Sequence, residues 1–227
     1  MSTAGRYTAT RTSLRTAGIM VVFTLAFTAL MSSAYTLTRP AIEASRADAK
    51  MRLINELLPP ENFDNALLAD HVDIGPTPAL GLNQGGRIFR ARLKGEPAAL
   101  IVEAIAPDGY AGRIALAVAI GADGRISGVR VTEHRETPGL GDYIDPRKDR
   151  NKTSPWIAQF NGVGFADVAP ERWKVKRDGG QFDYHAGATI SARATTEAIG
   201  RAAQFALEHR DALFSAKSGT QLEDLSK

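Results

Sequence analysis

The chain has no cysteine. That excludes thiolate ligation of iron–sulfur clusters and thioether attachment of haem, so any redox chemistry must reside in a bound organic cofactor. Histidine is scarce: His71, His134, His185 and His209 are scattered without the paired spacing of a metal site, and no residue is assigned to a metal. No Ser–His–Asp arrangement, P-loop or dinucleotide fingerprint is visible, and no residue is assigned a catalytic role. Charge is absent from Thr16 to Thr38, and no acidic residue occurs among the first sixteen.

That uncharged stretch spans roughly 34 Å as a helix, enough to cross a bilayer with slight tilt. Arg6, Arg11 and Arg15 precede it, so the positive-inside rule keeps the N-terminal arm in the cytoplasm and sends the remainder outward. A cleaved signal peptide is the competing reading, with Ser32-Ser33-Ala34 as small residues at the cleavage positions. The apolar run is long for a signal core and favours an uncleaved anchor. The chain carries 28 basic and 25 acidic residues, and the three arginines of the arm account for the whole excess. The exported part is neutral, which argues against a nucleic-acid surface.

About 190 residues follow, enough for one domain with its own core. Pro40 to Leu58 reads as a stalk helix stopped by Pro59-Pro60, and 61–86 as irregular. Strand-like runs cover Arg87–Leu93, Ala98–Ile105, Ile114–Ile120 and Ile126–Thr132, with Gly121-Ala122-Asp123-Gly124 as a hairpin turn. A further short strand is expected over Trp173–Lys176. From Ser191 to about Leu213, apolar residues recur near i, i+3, i+4, i+7 and predict a helix. The expected fold is α+β: one transmembrane helix, then an extracytoplasmic domain with an antiparallel sheet flanked by helices. The boundaries read as a cytoplasmic arm 1–16, membrane helix 17–38, stalk 39–60, globular domain 61–214 and flexible tail 215–227.

Just before the last helix stands Asp183-Tyr184-His185-Ala186-Gly187-Ala188-Thr189. Two of the smallest residues precede a lone hydroxyl, so nothing crowds an incoming phosphate. Thr189 and Ser191 fall at the helix N-terminus, where free N–H groups and the dipole favour an anion; capping by these hydroxyls is the ordinary alternative. A second loop, Glu136-Thr137-Pro138-Gly139-Leu140-Gly141, combines a Pro-Gly turn with an apolar side chain and exposed peptide groups. Lys174 and Lys176 could alternate toward a phosphate or simply face solvent.

These segments resemble the FMN-carrying subunits of two bacterial membrane complexes: RnfG of the Rnf (Rsx) complex and its counterpart in the sodium-pumping NADH:quinone reductase. The family pattern is Asp, two variable residues, Ser or Thr, then Gly-Ala-Thr; Ala186 stands where Ser or Thr is usual. Pro107-Asp108-Gly109-Tyr110-Ala111-Gly112 and the Glu136–Gly141 loop are similar to RnfG, in the expected order. The resemblance implies covalent FMN, joined by a phosphoester to Thr189, with Asp183 recognised by a flavin transferase. It implies cofactor contacts from Gly187, Ala188, Ser191 and Glu136, Thr137, Pro138, Gly139, Leu140 and Gly141. It further implies an electron relay in the bacterial inner membrane, N-terminus cytoplasmic and domain periplasmic. Its partners would be the other membrane subunits of a complex moving electrons between ferredoxin and NAD with ion translocation. A flavinylated carrier of another reductase and a non-redox anchored module are the alternatives.

Overall fold

A computed structural model of the chain describes residues 9–222. The first eight residues of the expected arm and the last five of the expected tail lie outside that range. The described residues fall into two units, one ending at Lys50 and the other beginning at Met51.

A single helix, α1 (Ala9–Leu57), covers both the expected membrane span and the expected stalk without a break. Among the described residues one helix is long and apolar enough to cross a membrane, and this is it. Pro40 lies in its interior and removes one backbone donor. Nearby threonines fold their hydroxyls back on the helix: Thr36 donates to the carbonyls of Ser32 and Ser33, and Thr38 to that of Ala34.

The second unit is built on a six-stranded sheet in the order β5-β4-β3-β2-β1-β6. The strands are β1 (His71–Ile74), β2 (Gly86–Leu93), β3 (Glu96–Gly109), β4 (Gly112–Gly121), β5 (Ile126–Glu133) and β6 (Gln221–Leu222). All neighbours pair antiparallel except β1 and β6, which run parallel. Both faces are covered, which is why the central strands read as near-continuous apolar runs. On one face Leu100, Val102, Leu116 and Val118 pack under helix α2 (Thr189–Ser215) through Ile199, Ala202 and Ala203. On the other, Phe89, Ala91, Ile101, Ala117 and Ala119 pack with Ile54 and Leu57 from the last turns of α1. Each large side chain so buried contributes roughly 1.5–3 kcal/mol.

Three expectations need correction. The 61–86 stretch contains β1, a four-residue strand too short for its alternation to show. The 215–227 tail is not loose throughout: β6 pairs Asp73 with Gln221 and Ile74 with Leu222, while Ser218 Oγ donates to the Ala69 carbonyl at 2.8 Å. Trp173–Lys176 is no strand; one bridge joins Val175 to Phe182, followed by a 3-10 turn at Lys176–Asp178.

The C-terminal end of α2 is held by arginines from β2. Arg90, 2% exposed, donates to the carbonyls of Leu213 (2.9 Å) and Ala216 (2.5 Å) and to Asp70 at 2.7 Å. Arg92 reaches the Phe214 carbonyl at 2.7 Å. These bonds satisfy carbonyls that the helix itself leaves open. Replacing Arg90 by Met leaves Asp70 with only Arg92 and the Asn65 amide, both on Oδ2, and frees two carbonyls at the end of α2. The expected cost is about 3 kcal/mol, near the lower bound for breaking a buried ion pair, read as a lowered urea midpoint.

Candidate functional site

The Asp183–Thr189 segment is fixed mainly through its backbone. Asp183 donates its N–H to Gln159 Oε1 at 2.7 Å, and its carbonyl accepts from the Trp156 indole at 2.7 Å. Its carboxylate stays exposed and pairs with Lys176 at 2.5 Å. Gly187 has φ +92°, a left-handed conformation that side chains resist; it turns the chain into the helix. Ala188 is the N-cap residue and no side chain caps the helix. Thr189 is therefore the first helical residue, and its hydroxyl is not spent on capping. Instead, Arg177 Nη1 lies 3.3 Å from Thr189 Oγ1.

Around this start the Glu136–Gly141 loop closes. Glu136, 3% exposed, accepts the Ser191 hydroxyl at 2.5 Å through Oε2 and the Ala111 N–H at 3.1 Å through Oε1. Gly141 sits against this pair: a Cβ there would lie 2.6 Å from Ser191 Oγ and 2.7 Å from Glu136 Oε2. Only glycine lets the loop approach so closely. The turn is completed by the Gly139 N–H donating to Asp142 Oδ1 at 2.8 Å.

These elements enclose an open pocket of about 370 Å³, within the size range of small-molecule sites. It collects Glu136, Thr137, Leu140, Gly141, Gly187, Ala188, Thr189 and Ser191 from the residues singled out in the sequence. Asp183 and Pro138 are exposed outside it. Gly139 lines an adjoining cavity of about 210 Å³, with Leu140 shared between the two. Sequence reasoning did not assign three residues here to the site, although Tyr110 lies in the Pro107–Gly112 segment noted above. Tyr110, on the β3–β4 turn, joins Leu140 and Ile190 as an exposed large apolar side chain on the pocket wall. Arg177, rather than Lys174 or Lys176, is the cation that reaches Thr189. Tyr143 clasps the motif: its hydroxyl accepts the His185 N–H at 3.2 Å and donates to the Ala188 carbonyl at 3.4 Å, while its ring stacks on His185 with centroids 3.9 Å apart.

Residues 109–204 match the FMN-binding domain family, and residues 1–57 match the RnfG N-terminal region. The globular unit is thus an FMN-binding domain, and every pocket residue named above falls inside the matched range. The chain is 39% identical over 200 residues to the G subunit of the ion-translocating oxidoreductase complex of Pseudoalteromonas atlantica, covering 88% of this chain and 91% of that protein. It is 40% identical over 205 residues to the same-named protein of Pseudomonas aeruginosa (90% and 94% covered), and 38% identical over 195 residues to that of Aliivibrio fischeri (86% and 90%). The chain belongs to the RnfG family, the G subunits of ion-translocating oxidoreductase complexes: membrane-anchored, FMN-binding proteins of electron transport.

Burial pushes the Tyr143 phenol up to about 12; the His185 N–H opposes the rise, and the Asp149 and Glu136 carboxylates add to it. The folded state therefore holds the phenolic proton more tightly than the unfolded chain, whose phenol titrates near 10.0. Its contribution to stability is complete below about pH 10 and is lost as pH rises toward about 12. Tyr143→Phe is expected to lie about 1 kcal/mol below wild type at pH 8, from the lost hydroxyl bonds. That gap should narrow between pH 10 and 12 in urea denaturation, and the mutant should lack the most alkaline phenolate transition.

Proposed function

We propose that Thr189 Oγ carries FMN through a phosphoester bond and that the chain serves as a one-flavin electron relay. The complex would be membrane-bound and of the Rnf type, moving electrons between ferredoxin- and NAD-linked partners with coupled ion translocation. One observation carries this reading: the Thr189 hydroxyl is left out of helix capping and opens on a pocket, beside a guanidinium and the unpaired first-turn N–H groups of α2. The remaining lining fits a flavin. Tyr110, Leu140 and Ile190 supply apolar surface for a planar ring, and the peptide groups of the Thr137–Gly141 turn supply polar edges.

FMN, when bound, supplies one- and two-electron chemistry. The chain's own residues tether, orient and shield it. Thr189 fixes the phosphate end, and Glu136 with Ser191 holds the pocket floor rigid. The open side leaves a route for electrons to and from partner subunits, in keeping with the names of the relatives. Attachment needs an activated donor, a flavin phosphoanhydride held by a flavin transferase. The Thr189 oxygen forms the new O–P bond, the P–O bond to the leaving group breaks with its electron pair, and the hydroxyl proton is lost. The exposed Asp183 carboxylate suits recognition by that enzyme. On the same reading the short N-terminal arm lies in the cytoplasm of a bacterial cell and the 61–214 domain in the periplasm, on the strength of the basic arm. Membership of the RnfG family favours this assignment over the flavin-carrying counterpart in the sodium-pumping reductase.

Thr189→Ala is expected to abolish the flavin fluorescence that survives denaturing electrophoresis while the protein stays folded; a retained covalent flavin refutes the site. Asp183→Ala should prevent loading without unfolding, because its exposed pair with Lys176 contributes at most about 1 kcal/mol. Intact mass reads the outcome, and full loading of that variant rules out the recognition role.

A further inference from the structure

The cations around Thr189 are not equivalent. Lys176 is occupied by Asp183, and Arg193 by Asp178 in a bidentate pair at 2.6 and 2.9 Å. Arg177, between them, makes no ion pair among the described residues, although the Asp178 carboxylate bound to Arg193 feels its charge, and it spends Nη1 on the neutral Thr189 oxygen. Its position is nonetheless fixed. The Lys176 N–H donates to the Phe182 carbonyl at 2.7 Å, on the strand-like approach to the motif, and the Asp178 N–H to the Val175 carbonyl at 2.9 Å. Arg193 lies one turn along α2 from Thr189, so the Asp178 pair ties the turn to the helix that bears the hydroxyl. Anchored on both sides, the turn can aim only one free guanidinium, and it aims at Thr189.

The geometry points to Arg177 as the phosphate-recognising residue of the pocket, selecting a flavin that bears a phosphate over one that does not. This assignment rests on the flavin reading above. A guanidinium offers five N–H donors in a planar fork, so one bond to the Thr189 oxygen leaves others for the non-bridging oxygens of a phosphate beside it. A phosphodiester keeps a negative charge. Sharing its pocket with the buried Glu136 carboxylate, it needs a cation not already held in an ion pair, and Arg177 meets that condition where Lys176 and Arg193 do not. The first-turn N–H groups of α2 add a further, weaker attraction.

The test uses the full chain in detergent, produced without a flavin transferase so that Thr189 is free, titrated separately with FMN and with riboflavin by flavin fluorescence. Wild type should bind FMN about tenfold more tightly than riboflavin, the scale of a partly exposed hydrogen bond to a charged group. R177Q should bind riboflavin as wild type does and FMN no better; R177K should keep part of the preference. An undiminished FMN preference in R177Q overturns the assignment. If R177Q loses both flavins, R177K decides: preference kept supports the role, and equal affinities overturn it. Wild type that binds both flavins equally refutes the phosphate role alone, whereas wild type that binds neither removes the pocket reading with it.

Discussion

The Glu136 carboxylate is approached from two sides, by the Ser191 hydroxyl of α2 and by the Ala111 N–H at the β3–β4 turn, and through these bonds three distant stretches of sequence meet. A carboxylate taken out of water costs several kcal/mol unless its oxygens are bonded. The loop, the turn and the helix start are therefore held in one arrangement, because separating any of them leaves a buried charge unsatisfied. Gly141 follows from the same constraint, since a side chain there would collide with both partners. So do the pocket walls: Tyr110 stands on the β3–β4 turn, Leu140 on the loop, and Thr189 and Ile190 on the helix.

Helix α2 is the element that carries this constraint across the domain. Its N-terminal turn is fastened by Glu136 through Ser191, and its C-terminal carbonyls by Arg90 and Arg92. Between them, small residues such as Ala202 and Ala203 seat it on the sheet. The proposed tether at its first residue would thereby sit on a body that both ends and one face hold still. That suits a relay, whose cofactor must return to one position between electron transfers.

Much of this was legible in the chain. The hairpins around Gly121–Gly124 and the long C-terminal helix announce themselves by period, and the Gly187-Ala188-Thr189 run marks the helix start by residue size. The Glu136–Gly141 loop was also recognisable, but not its inner logic: a glutamate in a polar strand exit looks solvated, and only the approach of Ser191 shows it buried. Arg177 was hidden for a related reason. Lys174, Lys176, Arg177 and Arg193 look alike in sequence, and what separates them is which carboxylate each one meets. Tyr143 was missed because its hydroxyl acts on backbone some forty residues away, a contact that leaves no local pattern. β1 and β6 were too short to show alternation, and the parallel pairing of β6 depends on where α2 happens to end.

The pocket's charges also explain why its polar groups divide as they do. Glu136 is satisfied by a hydroxyl and an amide, both neutral, so it draws no cation toward itself. Had Arg177 paired with Glu136, the two charges would have cancelled, and an incoming phosphate would have had to break a buried ion pair before binding. Neutral donors on the carboxylate, and beside the threonine a guanidinium that forms no ion pair among the described residues, keep those demands apart. The carboxylate can then serve the fold at all times, while the arginine remains available to an anion that arrives later.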